Sequence, residues 1–187
     1  MLTLSERLPF CLGSGCSAVV KPSEYTSRFT NVIKNIINYD KNFSQRLRVI
    51  SSTNPKTGIA LCEDQNISLI SFVGSTETGK KILRQCSSSL KKTNLELGGK
   101  NSAIICKTSK LDFAVSKVIE GIFENGGQAC VAISRVLIDQ SIFDIFLQKI
   151  ILKTEKLIKQ KKLKFQIPAN KTQRKKVFSM IKYIKKY

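Results

Sequence analysis

Cys130 ends the segment Phe123-Glu124-Asn125-Gly126-Gly127-Gln128-Ala129-Cys130, a Gly-rich bend that follows a helix-like run. Glu96 sits in Leu95-Glu96-Leu97-Gly98-Gly99, a lone carboxylate in a short apolar stretch that stops at two glycines. The two residues are 34 positions apart, and the chain contains no histidine. A thiol with no imidazole available points to cysteine chemistry in which glutamate moves the protons. Cys130 needs polarising surroundings to act as a thiolate, and a Gly126-Gly127 bend brings backbone amides close enough to contribute. A buried structural thiol is the competing reading for any cysteine, and Cys11, Cys16, Cys62, Cys86 and Cys106 are assigned to it. A carboxylate in an apolar strand loses hydration, which raises its pKa toward the range of a general base. A salt bridge to Lys100 is the alternative account of Glu96.

Two further segments have the residue types of a phosphate or ribose site. Gly74-Ser75-Thr76-Glu77-Thr78-Gly79-Lys80-Lys81 follows a strand-like run and approaches a P-loop. That motif requires Ser or Thr after its Lys to ligate magnesium, and position 81 is Lys. What survives is a strand, a Gly turn and a helix N-terminus, which present backbone N–H groups to an anion or serve only as a connection. Lys21 and Glu24 follow an apparent strand end, where open α/β sheets bind their ligands. They form either a surface ion pair or a pair of partners for ribose hydroxyls.

These residues must be positioned by alternating short strands and amphipathic helices. Ser17–Val20, Leu47–Ser51, Ser68–Val73, Thr93–Leu97, Ser102–Cys106 and Arg135–Asp139 read as strands. Helices are expected over Arg28–Tyr39, Thr78–Ser88, Leu111–Glu124 and Ile142–Lys159. Phe29, Val32, Ile33, Ile36 and Ile37 form one predicted apolar face, and Phe113, Val115, Val118, Ile119, Ile122 and Phe123 another. Such alternation implies parallel sheets with helical crossovers. Gly98-Gly99 is the expected boundary between two domains, residues 1–98 and 99–187.

The 187 residues are 42% hydrophobic, enough for a buried core. No apolar run approaches the ~18 residues that span a bilayer, and the first nine residues lack the pattern of a secretory signal. Six cysteines without a CxxC pair, and no His, argue for scattered reduced thiols, no metal site and a cytoplasmic setting. Of the net charge of +19, residues 149–187 carry +13. That tail offers few aromatics (Phe165, Phe178, Tyr183 and Tyr187) and no nucleic-acid motif, so a solvated Lys-rich helical face is the favoured reading. Binding of nucleic acid or an anionic membrane is its rival.

Taken jointly, four segments resemble the aldehyde dehydrogenase superfamily in order and separation. They are Gly15 to Glu24 (GCSAVVKPSE), Ile70 to Thr76 (ISFVGST), Leu95 to Asn101 (LELGGKN) and Phe123 to Cys130 (FENGGQAC). Gln173–Tyr187 is similar, more weakly, to a later helix of that family. The resemblance implies an α/β fold: a partial Rossmann-like parallel sheet, then the start of an α/β catalytic domain. It implies NAD-dependent oxidation of a small-molecule aldehyde to a carboxylic acid, with Cys130 as nucleophile and Glu96 as the base that activates water. Lys21, Ser23, Glu24, Gly74, Ser75, Leu97 and Gly98 then correspond to cofactor-binding positions. Glu24 favours NAD over NADP, because a carboxylate repels a 2′-phosphate. The family's members are more than twice as long and are expected to form homo-oligomers, so a truncated form with little turnover of its own is the expectation here.

Overall fold

In the computed structural model residues 2–39, 41–107, 110–162, 168 and 170–185 are described; Phe165 and Tyr187 lie outside them. The chain divides into two compact units, Met1–Leu97 and Gly98–Tyr187. Every strand pair in them is parallel, as strand–helix alternation requires.

The first unit opens with α1 (Leu2–Ser5) and α2 (Leu8–Gly13), then β1 (Ala18–Val20), α3 (Ser27–Tyr39), α4 (Lys41–Arg46) and β2 (Leu47–Val49). It continues through α5 (Pro55–Glu63), β3 (Leu69–Gly74), α6 (Thr76–Ser87) and β4 (Lys92–Leu97). β1 pairs with β2, and β3 pairs with β4 in the register Val73 to Glu96 and Gly74 to Leu97. Alternation along β3 and β4 sends Ile70, Phe72 and Leu95 to one face, where they pack on Cys62 of α5 and on Ile82 and Cys86 of α6. α5 starts where the chemistry of its first residues dictates. Asn54 caps it by accepting a hydrogen bond from the Lys56 amide at 2.9 Å, and Pro55 fills the first turn, where no N–H is needed.

The second unit runs β5 (Asn101–Ile105), α7 (Leu111–Phe123), β6 (Ile133–Ile138), α8 (Phe143–Lys159) and α9 (Lys171–Ile184). β5 and β6 are partners. Val115, Val118 and Ile119 of α7 meet Ile105 and Phe146 in its core, and Ile122 and Phe123 pack against them. Gly121 lets the helix approach β6, since a Cβ there would lie 2.5 Å from Ile133 Cδ1. On the wet side, Lys149 of α8 donates to the Asp112 carboxylate at 2.7 Å and holds its pKa below the usual value.

Several sequence expectations need correction. Phe113 is 63% exposed, with the Lys117 ammonium 5.8 Å from its ring centroid. The packed stripe of α7 is centred on 115, 118 and 119, and position 113 falls on the opposite side at 3.6 residues per turn. On α3 the buried line is Thr30 and Ile37 with Ile33 half-buried, so Val32 and Ile36 face solvent. Cys16 and Cys106 are exposed, which removes them from the set of buried structural thiols; Cys62 and Cys86 stay in it. The four segments α1, α2, α4 and α5 are helical although no helix was expected there. All but α5 are six residues or shorter, too short to show a full periodic face.

Burial, followed by the neighbouring Cys86 thiol, pushes the Cys62 thiol up from 9.0 to about 11. A group whose folded pKa lies above its unfolded value adds stability that is complete below the unfolded value and lost as pH climbs through the folded one. Under reducing conditions the thermal midpoint of Cys62→Ala is therefore expected to fall less steeply than that of the parent between pH 9 and about 11. Equal slopes would remove the thiol from the account. Phe146 is 1% exposed, and Phe146→Ala is expected to destabilise the second unit by about 3–5 kcal/mol in chemical denaturation.

Candidate active site

Cys130 lies in the turn between α7 and β6, and its placement begins with backbone handedness. α7 ends at Phe123 and gives way to a short 3-10 segment, Glu124–Gly127. Asn125, Gly126 and Gly127 have φ of 49°, 65° and 74°, three consecutive left-handed residues. Glycine adopts that region freely and asparagine tolerates it, which is what this sequence supplies. Asn125 and Gln128 then bind each other reciprocally: the Gln128 amide donates to the Asn125 carbonyl at 3.2 Å, and the Asn125 side chain returns a bond to the Gln128 carbonyl.

Past this reversal Cys130 is exposed, but its backbone is held. The Asn101 side-chain amide donates to the Cys130 carbonyl at 2.6 Å and to the Ala132 carbonyl at 3.2 Å. Gly99 passes close by, since a Cβ on it would lie 3.5 Å from the Cys130 carbonyl oxygen. The Gly-Gly-Lys-Asn stretch and Cys130, 29 or more residues apart in sequence, are thus brought together in the second unit. Asn101 was quoted in the sequence only as part of a motif. Its anchoring role had no signal beyond being an amide beside a strand start.

Glu96, in the first unit, occupies an outward position of β4. Its side chain is 61% exposed and its Oε1 lies 3.6 Å from Arg7 Nη2. Desolvation by an apolar strand is therefore the wrong account of this carboxylate, and its ionic partner is Arg7 rather than Lys100. The flanking leucines point to the opposite face by strand alternation, which leaves Glu96 in water. Arg7 precedes α2 and also donates to the Ser71 hydroxyl on β3, so its guanidinium lies over both strands.

The other candidate positions cluster at strand ends. Lys21 is half-buried just past β1; Ser23 and Glu24 are exposed, and Glu24 opens the 3-10 turn Glu24–Thr26. The Ser23 carbonyl accepts from the Thr26 amide at 3.0 Å and from its hydroxyl at 2.8 Å, which shapes that turn. Gly74 ends β3 opposite Leu97. A Cβ on Gly74 would lie 2.4 Å from the Phe72 ring, so only bare backbone fits there. Ser75 caps α6, accepting from the Thr78 amide at 3.2 Å. Leu97 lies under the first turn of α6, where Gly79 makes room for it: a Cβ there would be 2.7 Å from Leu97 Cδ2. Lys81 pairs with Glu77 at 3.3 Å, so the position where a P-loop needs a metal-ligating hydroxyl is engaged in a surface ion pair.

Elsewhere in the first unit an apolar hollow of about 770 Å³ is lined by Leu4, Leu8, Leu12, Ile33, Phe43 and Arg46, among others. The Arg46 guanidinium is committed to the Leu12 and Cys16 carbonyls, and the lining holds no thiol or carboxylate. Among the described residues no cluster of His, Cys, Asp or Glu could hold a metal ion, and no helix is long and apolar enough to cross a membrane.

The model of the aldehyde dehydrogenase family matches residues 1–187. Betaine aldehyde dehydrogenase of Bacillus subtilis is 33% identical over 157 residues, which cover 84% of this chain and 32% of that protein. Retinaldehyde dehydrogenase 3 of Mus musculus is 34% identical over 150 residues, covering 80% and 29%. Among solved structures, an NAD-dependent aldehyde dehydrogenase from Sinorhizobium meliloti superposes with a TM-score of 0.73 at 30% identity, over 82% of this chain and 31% of that one. Betaine aldehyde dehydrogenase from Staphylococcus aureus in complex with NAD+ gives 0.72 at 32%, over 83% and 31%. The chain thus spans about a third of the length of these relatives. With its α/β architecture of parallel strand pairs and a family match from the first residue to the last, the chain belongs to the aldehyde dehydrogenase family.

Proposed function

We propose that this chain contributes the nucleophile, the water-activating base and part of the nucleotide-binding surface to NAD-dependent oxidation of an aldehyde to a carboxylic acid. The observation that carries the reading is the Cys130 turn: an exposed thiol on a backbone fixed by three left-handed residues and by the Asn101 amide. Family membership supplies the reaction class. The first unit is read as cofactor-binding and the second as catalytic. A cytoplasmic setting and assembly with further copies of the protein belong to the same reading.

The residues present fit a dinucleotide. Gly74 offers bare backbone at the end of β3, and Ser75 leads into the N-terminus of a 12-residue helix, a combination suited to a pyrophosphate. Lys21 and Glu24 would take the adenosine ribose, and Ser23, Leu97 and Gly98 would add further contacts to the cofactor. NAD, when bound, supplies the two-electron acceptor for the hydride of the substrate.

Cys130 Sγ forms a bond to the aldehyde carbon, and the carbonyl oxygen becomes the oxyanion of a thiohemiacetal. The Cys130 backbone N–H serves as one donor to that oxyanion. Loss of hydride leaves a thioester on sulfur. Glu96 takes a proton from water as the water oxygen bonds to the thioester carbon. The C–S bond then breaks, the acid departs and the thiolate is regenerated. Arg7 orients the Glu96 carboxylate during this step.

Turnover by the chain on its own is expected to be small, and whatever aldehyde-dependent NADH formation it shows is expected to vanish in Cys130→Ala. Glu96→Gln is expected to keep a single burst of NADH and to lose the turnover that follows it. Turnover that survives in Cys130→Ala would refute the reading. Glu24→Ala is expected to improve NADP binding by about 1 kcal/mol, roughly fivefold in Kd, and to weaken NAD, which loses a ribose contact. An unchanged NADP affinity in calorimetric titration would remove Glu24 from cofactor selection.

A further inference from the structure

Cys62 and Cys86 take no part in the proposed reaction, yet they are the only thiols buried among the described residues. Cys62 is the penultimate residue of α5 and Cys86 the penultimate residue of α6. Both helices cover the same face of the β3–β4 pair, so their last turns lie side by side over Ile70, Phe72 and Leu95. The two residues are 3% and 1% exposed, and with Ile82 they form one buried cluster.

We propose that Cys62 and Cys86 form a redox pair that a hydroperoxide converts to an intramolecular disulfide tying α5 to α6. Two cysteines packed in one small cluster at neighbouring helix ends are placed where a change of side-chain torsion can bring the sulfurs together. Lys91 provides an independent support. Its amide donates to the Cys86 carbonyl at 3.1 Å, and its ammonium donates to the Asp64 carbonyl at 2.6 Å. One residue thus staples the ends of both helices and keeps a cation beside the thiols. Its charge favours the Cys62 thiolate, whereas that of Glu63 opposes it. Helix termini fray before helix centres do, which gives a small oxidant access to an otherwise closed cluster.

One cysteine, as thiolate, attacks a peroxide oxygen; the O–O bond breaks, an alcohol or water leaves after protonation, and a sulfenic acid remains. The second sulfur attacks that sulfur and expels hydroxide, which takes the second thiol's proton and departs as water. Two electrons pass from the thiol pair to the peroxide. Because burial keeps Cys62 largely protonated at neutral pH, the conversion is slow, as expected of a stress-responsive link rather than a catalytic thiol.

The test is to treat the intact folded chain with hydrogen peroxide, block free thiols with iodoacetamide, digest with trypsin and identify cross-linked peptides by mass spectrometry. Lys80, Lys81 and Arg84 separate the two cysteines into different peptides. The expected product is a Cys62–Cys86 cross-link in roughly tenfold excess over any other pairing. It should be reversed by dithiothreitol, absent in Cys86→Ser and formed more slowly in Lys91→Gln. The oxidised chain should also melt at a higher temperature than the reduced one. The proposal is overturned if Cys62 and Cys86 are recovered reduced while the exposed Cys16, Cys106 or Cys130 is oxidised, or if their cross-link forms only in denaturant. Neither outcome depends on aldehyde oxidation, so the dithiol pair and the proposed function stand or fall separately.

Discussion

The thiol proposed as nucleophile stands on a surface turn whose backbone must not wander, and one side chain supplies that restraint. The Asn101 amide spans the Cys130 and Ala132 carbonyls from the first position of β5. Because β5 is paired along its length with β6, the rigidity of the strand pair is passed to the cysteine turn through two hydrogen bonds. The three left-handed residues upstream do the complementary work: they reverse the chain tightly enough that Cys130 emerges beside Gly99 instead of extending α7. Any residue other than glycine at 126 or 127 would be strained in that region of φ. The turn's composition and the clamp are thus a single device, and the chemistry assigned to Cys130 rests on it.

The remaining candidate positions follow a different rule. Lys21, Gly74 and Leu97 each lie at or just beyond the carboxyl end of a strand in a parallel pair. Parallel strands need crossovers of a dozen or more residues, and those crossovers put helix N-termini and loops at that end. Gly74 and Ser75 show how tightly the constraint acts. Phe72 fills the space a side chain at 74 would need, and Ser75 closes the first turn of α6, so only the backbone is left to meet a ligand.

Much of this was legible in advance, and the reasons differ by element. Strands β3 to β6 and helices α6, α7 and α8 appeared within a few residues of expectation, because each carries a run long enough to show its period. Short helices such as α4 did not, since six residues cannot distinguish a face from a coincidence. Phe113 was misplaced because periodicity fixes which residues share a side but leaves the centre of the stripe undetermined by about one position. Glu96 was misread for a three-dimensional reason: apolar neighbours in sequence are on the other face of a strand, and Arg7, 89 positions away, supplies the environment.

That last correction changes the physics of the carboxylate more than its position. A glutamate tuned by desolvation would depend on a closed apolar pocket and would lose its character on any opening. A glutamate steered by an arginine depends on one charged neighbour, and arginine remains protonated at any pH the protein survives. Since Glu96 is mostly exposed, the attraction is screened and contributes little to stability. Its value is directional: Arg7, also bonded to Ser71 on the adjacent strand, restricts where the carboxylate can swing. Orientation by a fixed cation is compatible with an open surface in a way that burial is not, and under the proposed role of Glu96, which requires it to meet a water molecule, openness is a requirement rather than a defect.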